Sequence, residues 1–151
     1  MLKVPEKALK IYRIFWGALF LSVVLLTGLS FLINPIPVLL ESTALPEWTN
    51  TVELVLATVA IVNFLLVGSG AVDKFSRSVI PKQAIKMQES PEQSLFLHFN
   101  KMILAMAILE SAVLLGFVIA QMSGSAWKVL PFTFVYLIFA PRYYPRSEIP
   151  L

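Results

Sequence analysis

MILAMAILESAVLLGFVIAQM, residues Met102–Met122, holds one charged side chain, Glu110, near its centre. An α-helix rises 1.5 Å per residue, so this run reaches about 30 Å, the thickness of the hydrocarbon layer of a bilayer. It predicts a transmembrane helix. The rest of the chain agrees: of 151 residues, 58% are hydrophobic and 14% charged, with a mean hydropathy of +0.79. Soluble domains carry about 25% charged residues. The fold expected is all-α, a polytopic four-helix transmembrane bundle.

Working outward, the run IFWGALFLSVVLLTGLSFLI from Ile14 to Ile33 has no charge and follows Lys3, Lys7, Lys10 and Arg13. It predicts a first span. A cleaved signal peptide is the competing reading, because Ser42 and Ala44 make a small-x-small pattern, but the apolar run is long for one. Pro35, Pro37 and Pro46 then break the helix, with Trp48 expected at the membrane interface. A second span is expected over 52–72, where Asn50 followed by Glu53 reads as a helix-capping pair. Residues 73–101 form a polar cytoplasmic loop. Within it SPEQ places Ser90 as N-cap and Pro91 as first helical residue, so the third helix starts well before the lipid.

The last apolar segment, Val129–Ala140, is short for a span. Snorkelling of Lys128 and Arg142 extends it to a fourth span over 126–140, with Pro131 near its start, where a missing N–H matters least. A re-entrant or interfacial helix is the alternative. Orientation follows from charge. Placing the N-terminus, the 73–101 loop and the tail on one side puts 11 of the 12 lysines and arginines there and leaves Lys128 opposite. The positive-inside rule makes that side cytoplasmic, so residues 1–151 form a single multi-pass domain of the cell inner membrane with both termini inside. The tail PRYYPR reads as an interfacial anchor of tyrosines and arginines, a specific lipid-headgroup site being the alternative.

Glu110 lies eight residues beyond Met102, roughly 12 Å into the hydrocarbon. A carboxylate facing lipid there costs above ~2.5 kcal/mol, so it should face the protein interior and find a partner. Counting depth along the other spans brings Asn63 and Ser22 to the same level, with Tyr136 somewhat nearer the cytoplasm as a phenolic donor. One buried polar cluster of Glu110, Asn63, Ser22 and Tyr136 is expected. On the same helix Ala112, Gly116 and Ala120 form a small-xxx-small packing stripe pointing well away from Glu110, which admits a close helix neighbour within the chain or in a second copy.

Other chemistry is excluded or unsupported. There is no cysteine, hence no disulfide, thiolate metal site or iron–sulfur cluster, and the single histidine, His98, rules out bis-histidine haem ligation. His98 is read as an interfacial side chain at the mouth of the third span, a pH sensor being the alternative. No catalytic triad, phosphate-cradling loop or metal-spaced carboxylate pair is present, so no enzyme activity, metal or cofactor is expected. A net charge of +3 gathered at membrane edges does not suggest nucleic acid. The expected partners are the lipid bilayer and either further copies of the chain or another membrane protein.

The segment 52–122, through LAMAILESAVLLGFVIA, resembles the helical hairpin of the rotor-ring c and K subunits of rotary ATPases. Glu110 matches their ion-binding carboxylate and Gly116 the glycine beyond it. The glycine-repeat first helix and short Arg-Gln-Pro loop of those subunits are replaced here by VELVLATVAIVNFLLVGSG and a longer loop. The whole chain resembles uncharacterised small bacterial four-helix integral membrane proteins with a Glu-containing third helix and a terminal Pro-Arg, which implies a fold and no activity. Two functions are therefore expected candidates: a non-catalytic accessory or scaffold protein, or an oligomeric proton- or cation-handling protein with Glu110 as the exchanging carboxyl.

Overall fold

A computed structural model of the chain describes residues 2–34, 51–72, 74 and 91–149. The connection with Ser42, Ala44, Trp48 and Asn50 lies outside them, as do Ser90 and the loop cations Arg77, Lys82 and Lys86. The described chain is mostly helical, with two two-residue strands and short connections. In order it has β1 (Leu2–Lys3), α1 (Glu6–Ile33), α2 (Thr51–Gly68), α3 (Pro91–Ser123) and α4 (Leu130–Phe139). It ends in β2 (Glu148–Ile149), and short 3-10 turns at Ala126–Val129 and Ala140–Tyr143 flank α4. Of the four helices, α1, α2 and α3 are long and apolar enough to cross a membrane.

Local chemistry sets the helix ends. Pro5 precedes α1 with its φ of −55° already near the helical value, and Glu6 in the first turn complements the helix dipole. The helix stops at Asn34, which is extended at φ −107° and ψ 98°, as a residue before proline must be. Helix α3 begins at Pro91, eleven residues before the apolar run. It ends where Gly124 takes φ +63°, a conformation that lets the Ser125 N–H reach back to the Ala120 carbonyl at 3.1 Å.

Helix α3 is the hub, packing against α1, α2 and α4. Its Ala105, Met106, Leu109, Ala112, Val113, Ile119 and Ala120 have no solvent exposure and join Val23, Phe64, Val67, Phe132 and Tyr136 in one core. The outer faces are equally apolar: Leu32 is 84% exposed, and Leu25, Leu65, Phe134 and Ile138 each exceed half exposure. A surface of that kind, far beyond the scattered apolar side chains of soluble proteins, has hydrocarbon as its compatible solvent.

Short as it is, α4 with its 3-10 turns covers the length of α2. At its start Lys128 meets Glu53 in the first turn of α2, and at its end the Tyr143 hydroxyl lies 3.5 Å from the Val67 carbonyl in the last turn. The run from Ala126 to Tyr143 spans about 30 Å at standard helical rises. The chain ends then meet. Leu2 pairs with Ile149 and Lys3 with Glu148 in an antiparallel ladder, so both termini lie at one end of the molecule. Aromatic contacts mark both ends of α1: Tyr12 stacks on Phe99 at 4.2 Å, and Phe31 meets Trp127 edge-on at 5.8 Å. These contacts lie about 28 Å apart along α1, close to the thickness of the hydrocarbon layer.

Candidate functional site

Half-buried Glu110 projects from the middle of α3 toward α1. Ser22 Oγ donates to its Oε1 at 2.5 Å and also lies 2.8 Å from the Leu19 carbonyl. Ser22 is ten residues past Tyr12 and nine before Phe31, so the contact sits midway between the two aromatic ends. Tyr136 is fully buried on α4, where its hydroxyl donates to the same Leu19 carbonyl at 3.2 Å. Glu110, Ser22, Leu19 and Tyr136 thus form one connected polar group across α3, α1 and α4.

Asn63 takes a different partner from the one its depth suggests. Its Nδ2 donates to Ser111 Oγ at 3.0 Å, and Ser111 donates to the Ile108 carbonyl at 2.7 Å. Successive helix positions differ by about 100° in direction, so Ser111 faces α2 while its neighbour Glu110 faces α1. Counting residues along a span gives height and says nothing of azimuth. Asn63 therefore ties α2 to α3 and does not join the Glu110 cluster.

Sequence reasoning left two further contacts unremarked. Thr27 and Thr133 share a hydrogen bond of 2.8 Å between α1 and α4. Thr133 stands three residues before Tyr136, on the same face of α4, and that spacing was a readable signal. Lys128 Nζ lies 2.6 Å from Glu53 Oε2, with both side chains only 5% exposed. The residue expected to snorkel and the residue expected to cap a helix are partners. Opposite charges beside two apolar runs, at the same expected membrane edge, were the available clue.

The Ala112, Gly116 and Ala120 stripe is buried within the chain. A Cβ at position 116 would come within 2.8 Å of Phe132 Cγ, so the missing side chain admits α4. This face packs against the chain's own fourth helix. No group of three metal-ligating side chains occurs among the described residues.

At the end of the molecule where the chain termini meet, a cavity of about 430 Å³ opens between the end of α2, the first turns of α3 and the tail. His98, Lys101, Arg142, Arg146 and Glu148 line it, and Lys101 and Arg146 both act on His98 through their positive charges.

Set against known proteins, the chain matches no family model, no curated protein and no solved structure.

Proposed function

We propose that this chain is a non-catalytic protein of the cell inner membrane, a four-helix transmembrane bundle with both termini in the cytoplasm. It serves as an accessory or scaffold subunit, for another membrane protein or for copies of itself. One observation carries the reading: polar side chains on different helices pair with one another at four places, although the buried Ser30 hydroxyl and Gln121 amide nitrogen find no partner. Ser22 and Glu110 join α1 to α3, Asn63 and Ser111 join α2 to α3, and Thr27 and Thr133 join α1 to α4. Lys128 joins the turn before α4 to α2. In lipid, where apolar surfaces give little preference for one helix register over another, such bonds select it, at about 0.6 to 2 kcal/mol each.

The test is a pair of substitutions. Glu110→Gln keeps the acceptor oxygen facing Ser22 and should leave unfolding in lipid–detergent micelles within about 0.5 kcal/mol of the parent, a typical tolerance for a conservative change. Glu110→Leu removes the acceptor and should lower stability by about 1 to 2 kcal/mol. Equal losses in the two variants would remove the hydrogen-bonding role.

A second reading rests on the hydrogens around Ser22. A hydroxyl carries one proton, and Ser22 faces two acceptors, the Leu19 carbonyl and Glu110 Oε1. Both contacts are full hydrogen bonds only when the carboxyl brings a proton of its own. That arrangement suits a carboxyl that exchanges protons or cations, as the default view of intramembrane acids holds. Infrared difference spectra of the protein in lipid should then contain the carbonyl stretch of a neutral carboxylic acid, lost in Glu110→Gln. No such band, no labelling of Glu110 by a hydrophobic carbodiimide and no proton flux in vesicles would together end this reading.

A further inference from the structure

We propose that the cavity between the end of α2, the start of α3 and the tail binds the phosphate-bearing headgroup of an acidic glycerophospholipid. The inference rests on the membrane reading above and goes beyond it by assigning a ligand and its site.

Charge is the first argument. Among the described residues that line the cavity, Lys101, Arg142 and Arg146 are the basic side chains, His98 stands among them, and Glu148 is the one carboxylate. Lys101 and Arg146 both set a positive potential at His98, and a positive potential in a cleft favours an anion such as phosphate. Arginine suits phosphate especially, because its planar fork can give two parallel N–H···O bonds to one anion.

Shape is the second. Val67 and Met102, both almost fully buried, line the inner part of the cavity, whereas Arg142, Arg146 and Glu148 at its mouth are exposed. An apolar floor under a basic rim matches the boundary between acyl chain and headgroup better than it matches a free, fully hydrated phosphate. Basic pockets between helices at the cytoplasmic edge of a membrane favour acidic headgroups for this reason.

The third argument is pre-organisation. A tail acting only as an interfacial anchor needs no fixed conformation, yet this one is held at several points. Tyr144 N–H bonds the Pro141 carbonyl at 3.2 Å, Val4 N–H bonds the Ser147 carbonyl at 3.0 Å, and β1 pairs with β2 just beyond. Arg13 lies over the Tyr144 ring at 5.7 Å, and Trp16 meets the same ring edge-on at 5.1 Å. These bonds place Arg142 and Arg146 on the cavity before any ligand arrives, which lowers the entropy cost of binding. Arg146 also lines a neighbouring cavity with Arg13, Ser147 and Glu148, so two arginines and one carboxylate carry this surface toward the N-terminus.

The experiment uses the full chain purified in mild detergent, offered equal amounts of phosphatidylglycerol and phosphatidylcholine, with retained lipid counted by native mass spectrometry. The parent protein should retain phosphatidylglycerol selectively. Arg142→Gln with Arg146→Gln should weaken that retention at least about tenfold, the scale expected for losing two basic contacts with an acidic lipid. Both arginines are exposed, so the fold should survive, and Lys101→Gln supplies an independent variant if it does not. Lys7→Gln with Lys10→Gln, exposed cations outside the cavity, should retain lipid as the parent does. Equal retention of the two lipids, unchanged retention in the cavity variants, or equal loss in the Lys7 and Lys10 control would overturn the proposal. Inorganic phosphate is offered in a separate arm, and its retention without lipid selectivity would overturn the lipid assignment in favour of a soluble anion. An alkaline carbonate wash separates the two levels. Protein that stays in the membrane but shows no selectivity refutes the cavity proposal alone, whereas protein released by the wash refutes the membrane reading and the site with it.

Discussion

Lys128→Met should be the most damaging single substitution in this chain, costing about 3 to 5 kcal/mol because it leaves the Glu53 carboxylate buried without its counter-charge. The two side chains touch at 2.6 Å and each is 5% exposed, so water has little access to either. Removing one partner strands a charge; removing both does not. Glu53→Leu combined with Lys128→Met should therefore recover most of the loss, since an apolar pair of similar volume often matches or exceeds a buried ion pair in stability. Reversible unfolding in mixed micelles, followed by far-ultraviolet circular dichroism, measures both variants. A single-variant loss below about 1 kcal/mol, the range of solvent-exposed pairs, would mean that Lys128 extends to the membrane surface after all. The coupling between the two sites, read from the full double-mutant cycle, excludes a simple packing effect.

The second large effect belongs to Gly116. A Cβ there would lie within 2.8 Å of Phe132 Cγ, closer than carbon atoms approach without displacement. Phe132 is 5% exposed in the core and has little room to retreat. Gly116→Val should then cost about 3 kcal/mol or more, an overpacking penalty that forces α4 away from α3. Gly116→Ala should be milder, because the roughly 1 kcal/mol gained in helix propensity offsets part of the clash. Gly28→Ala provides the control: nothing lies within 4 Å of its added Cβ, so only the propensity gain remains and stability should rise slightly. Phe132→Leu in the Gly116→Ala background should relieve the clash and return stability toward the parent. A neutral Gly116→Val would show that α4 is not held against α3 at this level.

Both effects involve residues whose types are plain in the sequence and whose partners are not. Glu53 follows Asn50 at capping distance, and a local rule accounts for it without reference to any other segment. Only when α2 and the turn before α4 lie side by side does Lys128 become its partner. The tail shows the same division. PRYYPR reads as an anchor from composition alone, but pairing between β1 and β2 turns it into the wall of a cavity. That pairing joins residues nearly a whole chain length apart, beyond the reach of any local pattern.

By itself the sequence determined the long apolar helices, three of them long and apolar enough to cross a membrane, since such runs satisfy their own backbone bonds as helices and match a hydrocarbon surrounding. It also determined the height of each polar side chain, because the helical rise is constant; Ser22, Asn63 and Glu110 fall at one level by counting alone. What the tertiary structure decided was direction. Glu110 turns to Ser22, Ser111 turns to Asn63, and Lys128 folds onto Glu53. Helices that are apolar on every side carry no amphipathic stripe to set their rotation. Rotation is then settled where packing and polar contacts are satisfied together, by Gly116 admitting Phe132 and by a few hydrogen bonds in a medium that offers those groups no water.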